Sequence, residues 1–140
     1  MGLHTYKPGE HTESLERLPE LTKPLLEFDL PAEIRQLQQQ ESWQRGTGRS
    51  SKTLVKYPDF RIVLVAMQAG SLMKEHRAEG RISIQTLQGR VRFTMPEKEV
   101  EVAAGQLLVL DHGIPHDVKA LQESAFLLTI AWPECAQHES

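Results

Sequence analysis

The sequence predicts an all-β domain with a short helical appendage at its N-terminus. Three observations carry this reading. From Thr53 onward the chain breaks into short runs rich in β-branched and aromatic residues. Glycine or proline separates these runs at roughly ten-residue intervals, the habit of a β-sandwich or barrel. The first 52 residues show neither feature.

Residues 1–24 are polar, with Leu15, Leu18 and Leu21 at three-residue spacing, which predicts a helical turn or an arm with one sticky face. In "LLEFDLPAEIRQLQQQESW", Pro31 stands to open a helix at its first position. Ile34 and Leu37 give that helix a narrow apolar stripe, suited to docking on something larger. "GTGRSSKT", Gly46 to Thr53, nearly spells the phosphate loop G-x-x-x-x-G-K-[ST]. Ser51 stands in place of the second glycine, and the segment leads into "TLVKYP" instead of a helix. It reads as a flexible linker. The expected division is therefore residues 1–52, an arm and short helix without a core of their own, and residues 53–140, the barrel.

The strands are expected at "TLVKY", "FRIVLVAMQ", "RISIQTL", "RVRFTM", "KEVEV", "QLLVL", "HDVKAL" and "AFLLTIAW". "LQGR" reads as a tight hairpin and "MPEKE" as a looser one. "RIVLVAMQ" and "FLLTIAW" are apolar on both faces, as strands covered on two sides should be. Phe60, Ile62 and Leu64 oppose Val63, Val65 and Met67, so the N-terminal arm or a partner subunit must cover the second face. A homodimer is the expectation.

A chain of 140 residues is most economically one domain, long enough to bury a core. Its single cysteine, Cys135, lies in the polar stretch "PECAQHES" and forms no internal disulfide; with no base beside it, it reads as a bystander thiol. No 18-residue apolar run predicts a membrane span. The opening "MGLHTYKPGEHTESLERL" lacks the basic start and apolar core of a signal peptide, so a cytoplasmic protein is expected. A net charge of −3 argues against nucleic acid as a partner. The basic cluster Arg45, Arg49, Lys52 and Lys56 reads as a solvated loop and strand edge.

One constellation carries chemistry. Gly70, His76 and Gly89, then Gly105, Gly113 and His116, stand at spacings that resemble the two motifs of the cupin superfamily, G-x5-H-x-H-x(3,4)-E-x6-G and G-x5-P-x-G-x2-H-x3-N. The resemblance covers Gly70 to about Ala120 closely and, through the strand pattern, residues 53–132. It implies a jelly-roll β-barrel of the small, single-domain, conserved-barrel type, commonly dimeric. The same alignment puts Ala78 at the second histidine, Ile82 at the glutamate, Asp111 at the proline and Ala120 at the final asparagine. Of the four residues by which cupins usually hold a divalent metal, His76 and His116 remain, so the metal-binding motif is degenerate.

Parity along the strands agrees with that alignment, because successive strand residues face opposite sides. His76 then shares a face with Ala78, Ile82 with Ile84 and Thr86, and His116 with Val118 and Ala120. Facing inward, they would line a small apolar chamber holding the imidazoles of His76 and His116 and the Thr86 hydroxyl. Arg77, Arg90 and Arg92 would face out. Catalytic zinc takes three protein ligands, and non-haem iron prefers two histidines with a carboxylate. His112, in "DHGIPH", is the candidate third ligand if its loop folds inward.

Three readings stand for these residues. His76 and His116 are hydrogen-bonded interior histidines without chemistry. Alternatively, His76, Ala78, Ile82, Ile84, Thr86, His116 and Val118 bind a small, partly apolar molecule with no cofactor, in a sensor or accessory protein. Or His76, His116 and His112 form a reduced ligand set for zinc, iron, manganese or nickel at low occupancy, in an enzyme of oxygenase or isomerase type. Cofactor-free binding leads, since hydrocarbon walls with a few placed polar groups are what small-ligand sites are built from.

Overall fold

The computed structural model describes residues 23–76 and 79–133, without the side chains of Glu75 and His76. The leucine-spaced arm, Arg77, Ala78 and Cys135 lie outside the described residues. In chain order the elements are α1 (Leu30–Gln38), α2 (Glu41–Gln44), β1 (Arg49–Tyr57), β2 (Phe60–Met67), β3 (Leu72–His76), β4 (Arg81–Gln88), β5 (Arg90–Met95), β6 (Lys98–Ala103), β7 (Leu107–Leu110), β8 (His116–Ala120) and β9 (Ser124–Ala131). Among the described residues no helix is long and apolar enough to cross a membrane.

Helix α1 begins one residue before Pro31, because Asp29 caps it: the Asp29 carboxylate accepts the Ala32 N–H at 3.2 Å. Pro31 still sits in the first turn, where its missing N–H is harmless. Ile34 and Leu37 are buried. The Lys52 ammonium meets the Glu33 carboxylate at 2.6 Å and fastens the helix to β1. The basic cluster is thus only partly solvated. The linker reading of "GTGRSSKT" also needs correction, since Arg49 already opens β1. Gly48, at φ +83°, makes the turn into that strand. A strand follows this loop where a phosphate loop would need a helix.

The strands form two antiparallel sheets, a five-stranded one in the order β1-β2-β9-β4-β7 and a four-stranded one in the order β3-β8-β5-β6. Pro58–Asp59 closes the β1–β2 hairpin, with Tyr57 opposite Phe60. Pro96–Glu97 closes β5–β6, with Met95 opposite Lys98. "LQGR" is not a hairpin. It is a corner at which the chain leaves the five-stranded sheet on β4 and enters the four-stranded sheet on β5. Gly89 makes it possible: its φ is +77°, and a Cβ there would overlap the Glu123 carbonyl oxygen and Ser124 Oγ.

Two cores result, one on each side of the five-stranded sheet. Between the sheets, Val65, Met67, Ile82, Ile84 and Phe126 pack against Val91, Phe93, Val102, Val118 and Ala120. On the outer face, Ile34, Leu37 and Trp43 of the helices cover Leu54, Val55, Leu64, Ala66 and Ala125. Each large side chain buried there contributes about 1.5–3 kcal/mol. The second apolar face of β2 and β9 is therefore covered from within the chain. The large apolar side chains left most exposed on the sheets are Leu107 and Val109 of the edge strand β7, at 63% and 56%.

Candidate ligand-binding cavity

Between the sheets the side chains do not fill all the space. A cavity of about 230 Å³ remains. Val65, Ile82, Ile84, Phe126, Leu128 and Ile130 bound it from the five-stranded sheet. Met73, Phe93, His116 and Val118 bound it from the four-stranded sheet. Alternation delivers these residues inward: β4 reads exposed, buried, half-buried, buried from Arg81 to Ile84, and β8 alternates from a buried His116. An apolar cavity of ~150 Å³ already admits benzene, so this one has room for a small molecule.

His116 is the polar group in the wall. It is 7% exposed, and its ring tilts at 42° to Phe93 with centroids 6.0 Å apart. Phe93 in turn meets Phe126 edge-on at 6.1 Å. His116 Nδ1 lies 3.0 Å from the Ile114 carbonyl oxygen, an acceptor, so Nδ1 carries the proton and donates.

The structure brings together the expected Ile82, Ile84, His116 and Val118. His76 is placed by its backbone: in the β3–β8 ladder it pairs directly with His116. A break in register between Met73 and His76 separates this pair from Met73 opposite Val118. The two histidines are adjacent across the ladder, although simple alternation from Met73 does not predict it. Ala78 lies outside the described residues.

Two expectations need correction. Thr86 is buried on β4 opposite Phe126 but does not bound the cavity, and its Oγ1 has no hydrogen-bond partner among the described residues. His112 faces out, its side chain 69% exposed. The loop is held that way at its first residue. The Asp111 carboxylate accepts the His112 backbone N–H at 2.8 Å and pairs with Arg81 at 3.2 Å. The His112 N–H, then its ring, then Arg81 hold the Asp111 carboxyl below its ordinary value of 3.8. His112 lines a separate groove with Arg81, Ser83 and Val109 on the outside of the barrel.

Sequence reasoning passed over Val65, Phe93, Phe126, Leu128, Ile130 and Met73. For the first five a signal existed: each sits at an inward position of an alternating strand. Met73 had none, because "LMKEH" does not read as a strand. Arg90 and Arg92, expected outside, pair across β5 and β6 with Glu101 at 3.4 and 3.6 Å.

No family model matches the chain, and neither does any curated protein compared with it. Solved structures do. A protein of unknown function from Streptococcus pyogenes is 29% identical, with a TM-score of 0.58 over 61% of this chain and 75% of that one. An RmlC-like cupin from Desulfovibrio desulfuricans is 27% identical, with a TM-score of 0.55 over 59% of this chain and 81% of that one. A cupin-2 domain protein from Shewanella frigidimarina shares the fold at 14% identity, with a TM-score of 0.60 over 74% of this chain and 93% of that one. The chain is a small barrel of the cupin superfamily.

The cupin fold raises the question of a metal, and the cavity wall answers it by its donors. Among the described residues no three His, Cys, Asp or Glu side chains gather where they could hold an ion. His116 is the one imidazole in the described wall, and Ile82 and Ile84 are hydrocarbon. A catalytic zinc needs three protein ligands. The described wall does not fit one.

Proposed function

We propose that this cupin holds a small, partly apolar molecule in the barrel cavity, without a tightly held metal. The observation that carries the proposal is the 230 Å³ apolar cavity with a single imidazole, His116, placed in its described wall. Phe93, Phe126 and the isoleucines supply area for a hydrocarbon or aromatic body. His116 sets one polar group among these hydrocarbon walls, as small-ligand sites do. The site is Ile82, Ile84, His116 and Val118, with His76 and Ala78 of the same motif, and with Met73, Phe93 and Phe126 added. Calorimetric titration with indole tests it. Binding is expected, and Val118→Phe, which fills the cavity, should abolish it; indole binding unchanged in that variant would refute the proposal.

One observation favours a second reading. The ladder sets His76 opposite His116, so two imidazole-bearing residues are neighbours on adjacent strands. In a metal-dependent cupin of oxygenase or isomerase type, these histidines would be what is left of a degenerate metal motif. Elemental analysis of untagged protein decides between the readings. Near-stoichiometric zinc, iron, manganese or nickel that survives dialysis against a chelator supports the second.

A cytoplasmic homodimer belongs to the same proposal. Since α1 and α2 cover the outer face near β1 and β2, the contact would centre on Leu107 and Val109 of β7. Light scattering on Leu107→Lys/Val109→Lys beside the parent chain tests this: a dimer should become a monomer, and a parent mass of 15.9 kDa at micromolar concentration would count against it. Cell fractionation tests the compartment.

A further inference from the structure

The barrel cavity is not the whole of the space. A more open groove of about 340 Å³ lies beside it and shares two of its walls, Val65 and Met73. The remaining walls change character completely: they include Ser42, Thr47, Arg49 and Ser51. The place in the fold explains the change. β1 is one edge of the five-stranded sheet and β3 one edge of the four-stranded sheet, so the groove sits at the seam where the sheets are not joined by a ladder. Arg49 reaches across this seam, its Nη1 donating to the Leu72 carbonyl oxygen at 2.9 Å. Arg49 pairs in register with Met67, and Ser51 with Val65, so both share the inward face of those core residues. The cavity wall is hydrocarbon on β2, β4 and β9, and the groove beside it turns polar on β1.

We infer that this seam is the entrance and polar subsite of the barrel cavity, and that the ligand is a medium-chain aliphatic carboxylate. Its chain lies between Ile82, Ile84 and Phe93, passes Val65 and Met73, and ends with the carboxylate on Arg49 beside the hydroxyls of Thr47 and Ser51. Arg49 is the cation of this subsite and makes no ion pair among the described residues. Its guanidinium has five N–H donors, of which the Leu72 carbonyl takes one, and it suits a carboxylate better than any other side chain does. The inner volume sets the length. At the ~30 Å³ that one water takes in the liquid, 230 Å³ holds about seven or eight non-hydrogen atoms, which is the tail of octanoate.

The inference rests on the inner cavity being the binding site, and the probes are chosen to separate the two. Octanoate and 1-octanol share a chain and differ in the head. Calorimetry is read with the Met73 methyl and Arg49 Nε–H resonances as position markers. Octanoate should bind at least about ten-fold tighter than octanol, as a charge-assisted hydrogen bond provides. Both should shift Met73, and only octanoate should shift Arg49. Arg49→Met should erase the preference and leave octanol within about three-fold, since its chain contacts are untouched. Ser51→Asp keeps Arg49 and its bond to Leu72, and should weaken octanoate alone by placing a like charge at the head. Equal affinities, or an octanoate preference that survives both variants, overturn the seam and leave the inner cavity standing. Failure of both probes to bind overturns this inference, and the inner cavity then stands or falls on indole.

Discussion

Truncating Ile82 to alanine tests whether the barrel interior is hollow. Ile82 is 4% exposed and borders the 230 Å³ cavity. Three carbons are lost, and at ~0.8 kcal/mol per methylene the transfer cost is about 2.4 kcal/mol. Ordinary core truncations of this kind cost ~2–5 kcal/mol, the excess coming from contacts stripped from neighbours around the new void. One side of Ile82 already has no neighbour, so those contacts were never made there. The expected loss is about 2–3 kcal/mol, at the low end. Leu64→Ala is the control. Leu64 is fully buried in the outer core, away from the cavity, and should lose at least about 1 kcal/mol more. Urea unfolding followed by the fluorescence of buried Trp43 measures both, and Ile82→Ala should move the midpoint by roughly 1–2 M. A loss above about 4 kcal/mol, equal to that of Leu64→Ala, would mean that Ile82 is packed on every side and that no cavity exists.

Thr86→Val exchanges a buried hydroxyl, unpartnered among the described residues, for a methyl of the same shape and should stabilise the barrel by about 1 kcal/mol in the same assay; a loss would reveal a partner such as a buried water. Gly89→Ala must place a Cβ against the Glu123 carbonyl in a left-handed backbone, so a cost of at least about 2 kcal/mol is expected, and a neutral result would show that the corner relaxes freely. Ile82→Glu puts an acid in a hydrocarbon wall and should cost several kcal/mol at neutral pH. Burial raises the folded-state pKa of that acid above its unfolded ~4.3, so the deficit is full above the folded value and shrinks as pH falls; a pH-independent deficit would place the carboxylate in water. NMR titration should find Asp111 with a midpoint below 3.8. Its folded-state pKa is depressed, so the contribution to loop order is present above 3.8 and lost as pH falls through the lower value; a midpoint at or above 3.8 contradicts the geometry.

Most strands were legible because their alternation is strict: Arg81 to Gln88 and Arg90 to Met95 announce an inward and an outward side, and Ile82, Ile84, His116 and Val118 follow onto one cavity. β3 was not legible. Leu72–His76 has no β-branched residue, carries Lys74 and Glu75, and is a strand because it has β8 to pair with, which is tertiary context. The corner at Gly89 was misread for a related reason, since a glycine turn looks the same whether the next strand returns to its own sheet or crosses to the other. Parity sorted Thr86 to the correct face but cannot say how far along β4 the hollow extends. The His112 loop turned outward through Asp111 and Arg81, a pair far apart in sequence. The helix docked on the outer face was foreseen as one of two possible covers. Choosing between it and a partner subunit required seeing Ile34 and Leu37 against Leu64.

The strand order has a consequence for how the molecule comes into being. β9 lies between β2 and β4 and holds both, in registers that run from Phe60 to Met67 and from Arg81 to Gln88. During synthesis, the β1–β2 hairpin with its helices and the β4–β7 pair emerge earlier and have no ladder between them until residues 124–131 leave the ribosome. Until then two apolar edges stand open, each a template for strand addition by another nascent chain. Such distant pairings close slowly, because the entropy of the intervening loop is lost before the ladder returns it. Folding yield in the cell should therefore depend on how soon the last strand arrives, and a substitution that weakens β9 would appear first as aggregation during translation, before any loss of stability in the finished barrel.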